Sequence, residues 1–322
     1  MKSKKCGFCA SIESDNNPLI AGDEIYICSN CVLSAHKILY GEEDPTKCIL
    51  DYATEIINNA EVILVLAGAG MSADSNLPTY RDKEGFWNDY PPYREIKKDY
   101  VAMTSPHGFS SDPHFAWGFF AHQYKLYKNA VPHEGYTKLL DLLLSKKDYF
   151  VVTTNVDGLF IKSGFAKKYL HEAHGSIHKL QCSRPCHREA WEIESLNVEI
   201  DYSTMNALDP LPLCPTCGAV SRPNIFMFGD TDESYVWEES QESASKFREW
   251  RQKNLHKKVV ILEIGVGAEG LKRHVKQYYQ EFSDTTLIRI NPEFDTSYRN
   301  ENIFYLSMSA KEAFLTLTKS SH

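Results

Sequence analysis

Two glycine-rich turns, Gly68-Ala69-Gly70-Met71-Ser72-Ala73 and Gly265-Val266-Gly267-Ala268-Glu269-Gly270, each follow an apolar run, at residues 62–66 and 259–262. Runs this apolar suit strands buried on both faces of a parallel sheet. Similar runs recur at residues 150–152 and 287–290 with helical patterns between them, which predicts a doubly wound α/β sheet. Glycines at such turns let the backbone approach a pyrophosphate while the next helix offers its N-terminal amides, although tight strand-to-helix turns also use glycine structurally. Neither turn is followed, about 20 residues on, by an acidic residue at a strand end suited to a ribose, so chemistry other than hydride transfer is indicated.

Between the turns lie Cys182, Cys186, Cys214 and Cys217, a CxxxC and a CxxC separated by 27 residues. Four thiolates close the tetrahedron of a structural zinc and leave no open position for water, so this quartet predicts an inserted small zinc module over about residues 178–226. His187, beside Cys186, is the weaker alternative ligand. A second quartet, Cys6, Cys9, Cys28 and Cys31, has 18 residues between its pairs. It predicts a self-contained zinc ribbon over residues 1–40, stabilised by metal because so small a core cannot stabilise itself. The string Leu19-Ile20-Ala21-Gly22, followed by Tyr26-Ile27-Cys28 and Cys31, resembles the zinc-binding domain of the ClpX unfoldase. No GxxxxGK[ST] loop accompanies it. A polar linker at residues 41–45 follows, then a helical pattern at Ile49, Tyr52, Ala53 and Ile56.

With 322 residues, 43% of them apolar and 24% charged, the chain can bury a full core and suggests two domains. A net charge of −8 and the lack of a long basic run argue against nucleic acid as a partner. No stretch approaches the roughly 18 apolar residues of a membrane span. The basic start, residues 1–5, passes straight into Cys6 without the apolar segment of a secretion signal, and eight of the nine cysteines fall into close pairs. Both observations place the chain in the cytoplasm, with metal favoured over cystine. Cys48 is left over and reads as an ordinary thiol.

The string Gly68-Ala69-Gly70-Met71-Ser72-Ala73-Asp74-Ser75-Asn76-Leu77-Pro78-Thr79-Tyr80-Arg81 is followed in order by five more blocks. These are residues 153–157 (Thr-Thr-Asn-Val-Asp), His174-Gly175, the cysteine quartet, Arg222-Pro223-Asn224 with Phe228-Gly229-Asp230, and Asn291-Pro292-Glu293. Six blocks in register over residues 47–320 resemble the sirtuin family of NAD-dependent protein deacylases. The resemblance implies a Rossmann-like domain and a smaller zinc module, with NAD and an acylated lysine meeting in the cleft between them. It also implies the reaction: the acyl oxygen attacks C1′ of the nicotinamide ribose, nicotinamide leaves, and free lysine and O-acyl-ADP-ribose result.

Roles follow residue by residue from that resemblance. His174 is the general base, for an imidazole with pKa near neutrality can take a proton from a ribose hydroxyl. Asn155 orients the nicotinamide ribose and a water, and Asp157 accepts hydrogen bonds from the carboxamide. Gly68, Ala69, Gly70 and Ser72 line the pyrophosphate, Tyr80 shields the reacting centre from water, Arg81 sits near the cofactor, and Asn291 contacts the adenosine ribose. Two positions depart from the family. Thr154 stands where glutamine is usual, and Gly265-Val266-Gly267 stands for Gly-Thr-Ser, so two hydroxyls are absent and backbone amides of Gly265 and Gly267 must substitute. Phe120 and Gln123 align with the Tyr-x-x-Arg pair that recognises acidic acyl groups, which favours a neutral one here. Two rival functions remain. One is an ADP-ribosyltransferase or NAD glycohydrolase on the same fold, and the other is a non-catalytic NAD sensor. The ribbon is expected to serve partner recognition or self-association.

Overall fold

The computed structural model describes residues 5–12, 14, 19–21, 26–40, 45–79, 86–88, 90–95, 97–267, 269–293 and 302–317. The chain divides into two compact units, Met1–Thr54 and Glu55–His322. In the first, strands β1 (Leu19–Ala21) and β2 (Tyr26–Cys28) pair antiparallel and lead into a helix at Ser29–Tyr40. The main-chain amides of Phe8 and Cys28 donate to Cys6 Sγ at 3.4 and 3.3 Å, folding the knuckle around the thiol.

The second unit carries β3 (Val62–Ala67), β4 (Asp148–Thr153), β5 (Leu170–Glu172), β6 (Gly175–Cys182), β7 (Trp191–Glu192), β8 (Ile200–Asp201), β9 (Asn206–Ala207), β10 (Ser221–Ile225), β11 (Lys258–Ile264), β12 (Asp284–Ile290) and β13 (Ile303–Leu306). Six of them form one parallel sheet in the order β13-β12-β11-β3-β4-β5. Every residue of β3 is buried, as its unbroken apolar run requires. Val62, Leu64 and Leu66 face one layer with Phe150, Val152, Val259 and Ile261, and Phe247, Trp250, Val275 and Phe282 pack onto them. These last four come from the helices Glu238–Asn254 and Glu269–Glu281, apart from Phe282 just beyond. Each such side chain contributes roughly 1.5–3 kcal/mol by leaving water.

The chain order reverses between β3 and β11, and the crevice at such a switch point is where ligands of open α/β sheets bind. The cysteine-bearing insertion is built on the antiparallel sheet β10-β6-β7 and the hairpin β8–β9. The long helix Pro113–Asn129 ties it to the body. Asp112 caps that helix by accepting from Phe115 N, Trp117 Nε1 donates to Ser221 O at 2.9 Å, and His114 Nδ1 lies 2.8 Å from Ala207 O. Phe119 and Phe120, on the same helix, are fully buried in a cluster with Phe86, Tyr90, Tyr93 and Phe109. No described helix is long and apolar enough to cross a membrane.

Candidate active site and metal centres

The two glycine turns interlock at the crevice. Gly68 N donates to Ile264 O and Gly70 N to Gly265 O, at 2.9 and 3.0 Å, and Gly265 adopts φ +58°. Among the described residues the amides of Ala69, Val266 and Gly267 have no acceptor, and a side chain at Gly267 would meet open space. N–H groups left unpaired at a switch point are available to an anion, so the site fits the pyrophosphate of a dinucleotide. Asn291 follows β12 and donates from Nδ2 to Val266 O at 3.2 Å, which fastens it to the second turn. Thr154 N donates to Ala67 O at 3.2 Å and holds the end of β4 against the first turn.

Next to this cradle lies a buried polar network. Ser72 Oγ donates to Asp157 Oδ2 at 2.6 Å and stands 2.9 Å from the hydroxyl of Tyr136. Asn155 Nδ2 donates to Ser72 Oγ and to Gly68 O, both at 3.0 Å. Asp157 Oδ1 accepts from Leu159 N at 2.9 Å. Burial raises the Asp157 carboxyl above its usual range, against hydrogen bonds from Ser72 and Leu159 that lower it. Sequence reasoning missed Tyr136, which enters from the helix Glu134–Leu144, and His133, whose Nε2 lies 2.9 Å from Met71 O and which accepts from Gly135 N. Neither belongs to a motif, so only the fold could reveal them.

His174 comes two residues after β5, as Asn155 comes two residues after the neighbouring β4, and Ala173 N donates to Thr153 O at 2.8 Å. Its ring lies 6.5 Å from that of Phe226, and its own carbonyl accepts from Phe226 N at 2.9 Å. The residue keeps exposed surface, yet partial desolvation, then repulsion from His274, lowers the imidazole below its ordinary pKa. A neutral imidazole at pH 7 is the form that accepts a proton. Glu172, two residues earlier, is pushed up to about 7 by desolvation and by the nearby Asp157. A second element missed in the sequence is the buried pair Arg222–Asp230, with N–O distances of 2.7 and 3.1 Å. Asp230 also accepts from Met227 N and Ser234 Oγ, so the pair pins the loop that presents Phe226. Tyr80 and Arg81 lie outside the described residues.

Each cysteine quartet gathers its sulfurs within 4.8 Å of one another. Sulfurs bound about 2.3 Å from a tetrahedral zinc stand roughly 3.8 Å apart. The separations fit: 3.6 Å for Cys182–Cys217, 3.7 Å for Cys186–Cys214 and 3.5 Å for Cys9–Cys28. Although burial raises both, amides of Cys9, Cys28 and Phe8 bring Cys6 down to about 6, and amides of Cys217 and Thr216 with His187 do the same for Cys214. The Ser11 hydroxyl likewise lowers Cys9, so each quartet holds at least one thiol set to ionise, as a zinc ligand must. His187 Nε2 lies 3.7 Å from Cys214 Sγ, beside the four sulfurs rather than in place of one.

The chain matches the Sir2 family over residues 68–249 and the ClpX C4-type zinc finger over residues 4–41. An NAD-dependent protein deacylase of Thermococcus sibiricus is 28% identical over 243 residues, covering 76% of this chain and 85% of that protein. One of the same name from Thermus thermophilus is 30% identical over 196 residues, covering 60% and 68%. Among solved structures, a Sir2 homologue in complex with NAD superposes with a TM-score of 0.62 at 23% identity, covering 84% of this chain and 93% of that one. At that identity the likeness speaks for the fold. Since the Sir2 match alone spans over half of its residues, the chain belongs to the Sir2 family.

Proposed function

We propose that the chain is an NAD-dependent protein-lysine deacylase that releases nicotinamide, deacylated lysine and O-acyl-ADP-ribose. The observation that carries this reading is the union of the amide cradle with the Ser72–Asn155–Asp157 network and with His174, whose imidazole pKa is lowered, at neighbouring strand ends. The amides of Ala69 and Gly267 and the turns at Gly68, Gly70 and Gly265 would hold the pyrophosphate, with Asn291 at the adenosine ribose and Thr154, Tyr80 and Arg81 closing the site. When bound, NAD supplies an electrophilic ribose carbon for the acyl oxygen. His174 takes the proton of a ribose hydroxyl, Asn155 orients ribose and water, and Asp157 faces the carboxamide. Neither zinc takes part in this chemistry, because four thiolates would close the tetrahedron of each. A neutral acyl group suits the buried Phe120 and Gln123, which offer no cation to a carboxylate.

Mass spectrometry of products from NAD and a panel of acyl-lysine peptides tests the reading. O-acyl-ADP-ribose is the expected product. Free ADP-ribose alone indicates a glycohydrolase, modified peptide an ADP-ribosyltransferase, and nucleotide binding without turnover a sensor.

In the same proposal, residues 1–40 recruit a partner or a second copy, and residues 47–320 form the catalytic domain with its zinc module at about 178–226. Phe8, Ile12, Leu33, Ile38 and Leu39 are all more than half exposed, a density of apolar surface that suits docking. Ile25 and the side chain of Ile20 lie outside the described residues. A chain beginning at Lys47 should keep peptide turnover and lose association in sedimentation. Eight cysteines free of disulfides accord with the reducing cytoplasm.

A further inference from the structure

A cleft of about 1080 Å³ opens beside the zinc module, away from the amide cradle and from His174 itself. Trp191, on β7, and Trp237, just before the helix Glu238–Asn254, stand among its walls, and Glu189, Asp232 and Glu238 lie along it. All three carboxylates are exposed, and none forms an ion pair among the described residues. Arg188, which also lines the cleft, donates to the carbonyls of Asp232 and Glu233, at 3.0 and 3.4 Å. Three carboxylates against the one guanidinium leave the lining net acidic, and the two indoles make it aromatic as well.

The cleft is joined to the reacting centre by a single loop. Phe226 lies next to His174, and its ring centroid is 4.9 Å from that of Trp237, which also packs on Tyr235 at 4.7 Å. The loop from Phe226 to Trp237 is fixed from within by the Arg222–Asp230 pair, so the two ends keep their separation. Two ring contacts in series span a distance that an extended peptide, at about 3.3 Å per residue, covers in roughly four residues or fewer.

We infer that this cleft is a specificity subsite for a lysine or arginine lying within about four positions of the acyl-lysine in the substrate. Carboxylates attract the cationic head, and the indole faces receive it together with its aliphatic stem. An acidic flanking residue meets like charge instead and is disfavoured. The inference rests on the deacylase reading and adds to it the chemistry of the substrate around the modified lysine.

The test uses the full chain, NAD and peptides that share one acyl-lysine core but carry Lys, Arg, Ala or Glu at each flanking position in turn. At one or more positions the kcat/KM for Lys or Arg should exceed that for Glu by roughly tenfold at low salt, as two or three exposed charge pairs allow. The ratio should shrink as ionic strength rises. In the double variant Glu189→Gln/Glu238→Gln it should fall several-fold, chiefly through the KM for basic peptides. Equal turnover of all flanks, or a ratio unchanged in the double variant, overturns the subsite while leaving deacylation intact. Turnover of no peptide at all overturns the deacylase reading, and the subsite with it.

Discussion

Gly70 and Gly265 meet backbone to backbone: a Cβ on Gly265 would stand 2.4 Å from the Cα of Gly70, and one on Gly70 would stand 2.6 Å from the Cα of Gly265. Neither turn can yield, since each is the exit of a strand whose last six residues are all buried. Gly265→Ala combines that clash with a left-handed backbone and should cost roughly 2 kcal/mol or more, with loss of NAD binding. Gly267→Ser meets open space and should leave stability within about 0.5 kcal/mol while returning a hydroxyl to the cradle. Thermal denaturation with and without NAD distinguishes the two. Equal melting temperatures for both variants would refute the interlock.

The buried strands were legible because a parallel sheet demands unbroken apolar runs, and the quartets because zinc dictates both ligand type and spacing. Their order in space was not, for the switch between β3 and β11 depends on pairing across nearly 200 residues of chain. Ser72 shows the same limit at atomic scale. The motif suggested a residue lining the pyrophosphate, whereas the structure buries its hydroxyl against Asp157, Asn155 and Tyr136. Arg222 and Asp230 both stood in recognised blocks, yet nothing in their spacing revealed that they pair.

His174 must be neutral to accept a proton, so activity is lost as pH falls through its pKa. Because desolvation and His274 lower that pKa, the acid limb of kcat/KM should lie below the ordinary imidazole value of about 6.5. His174→Ala should reduce turnover by at least about two orders of magnitude with an unchanged melting temperature. An acid limb at or above 6.5 in the native chain would contradict the environment described for this ring, and near-normal turnover by the variant would remove His174 as base.

Elemental analysis of the intact chain should find two zinc ions. Cys28→Ser and Cys217→Ser should each lose one, and only Cys217→Ser should lower the melting temperature of the unit that carries the sheet, because a structural site contributes folding energy to the fold around it. The insertion is bound to that unit through Trp117 and His114, so its loss should also weaken NAD-dependent turnover. One zinc per native chain, prepared without chelator, would defeat the two-site assignment.

The hydroxyl of Ser72 has one proton to give and two lone pairs to offer, and the structure uses all three. Its proton goes to Asp157, so its lone pairs receive Asn155 Nδ2 and the hydroxyl of Tyr136, and Tyr136 is the donor in their contact. Tyr136→Phe keeps the buried ring and removes that one bond, which should cost about 1 kcal/mol and loosen the Ser72–Asp157 geometry. Ser72→Ala strands three partners at once and should cost more, about 3 kcal/mol. The two changes share an atom, so they should not add: with Ser72 already gone, Tyr136→Phe should be nearly neutral. Denaturant unfolding of the two single variants and the double variant measures the coupling, and strict additivity would show that Tyr136 acts through something other than Ser72.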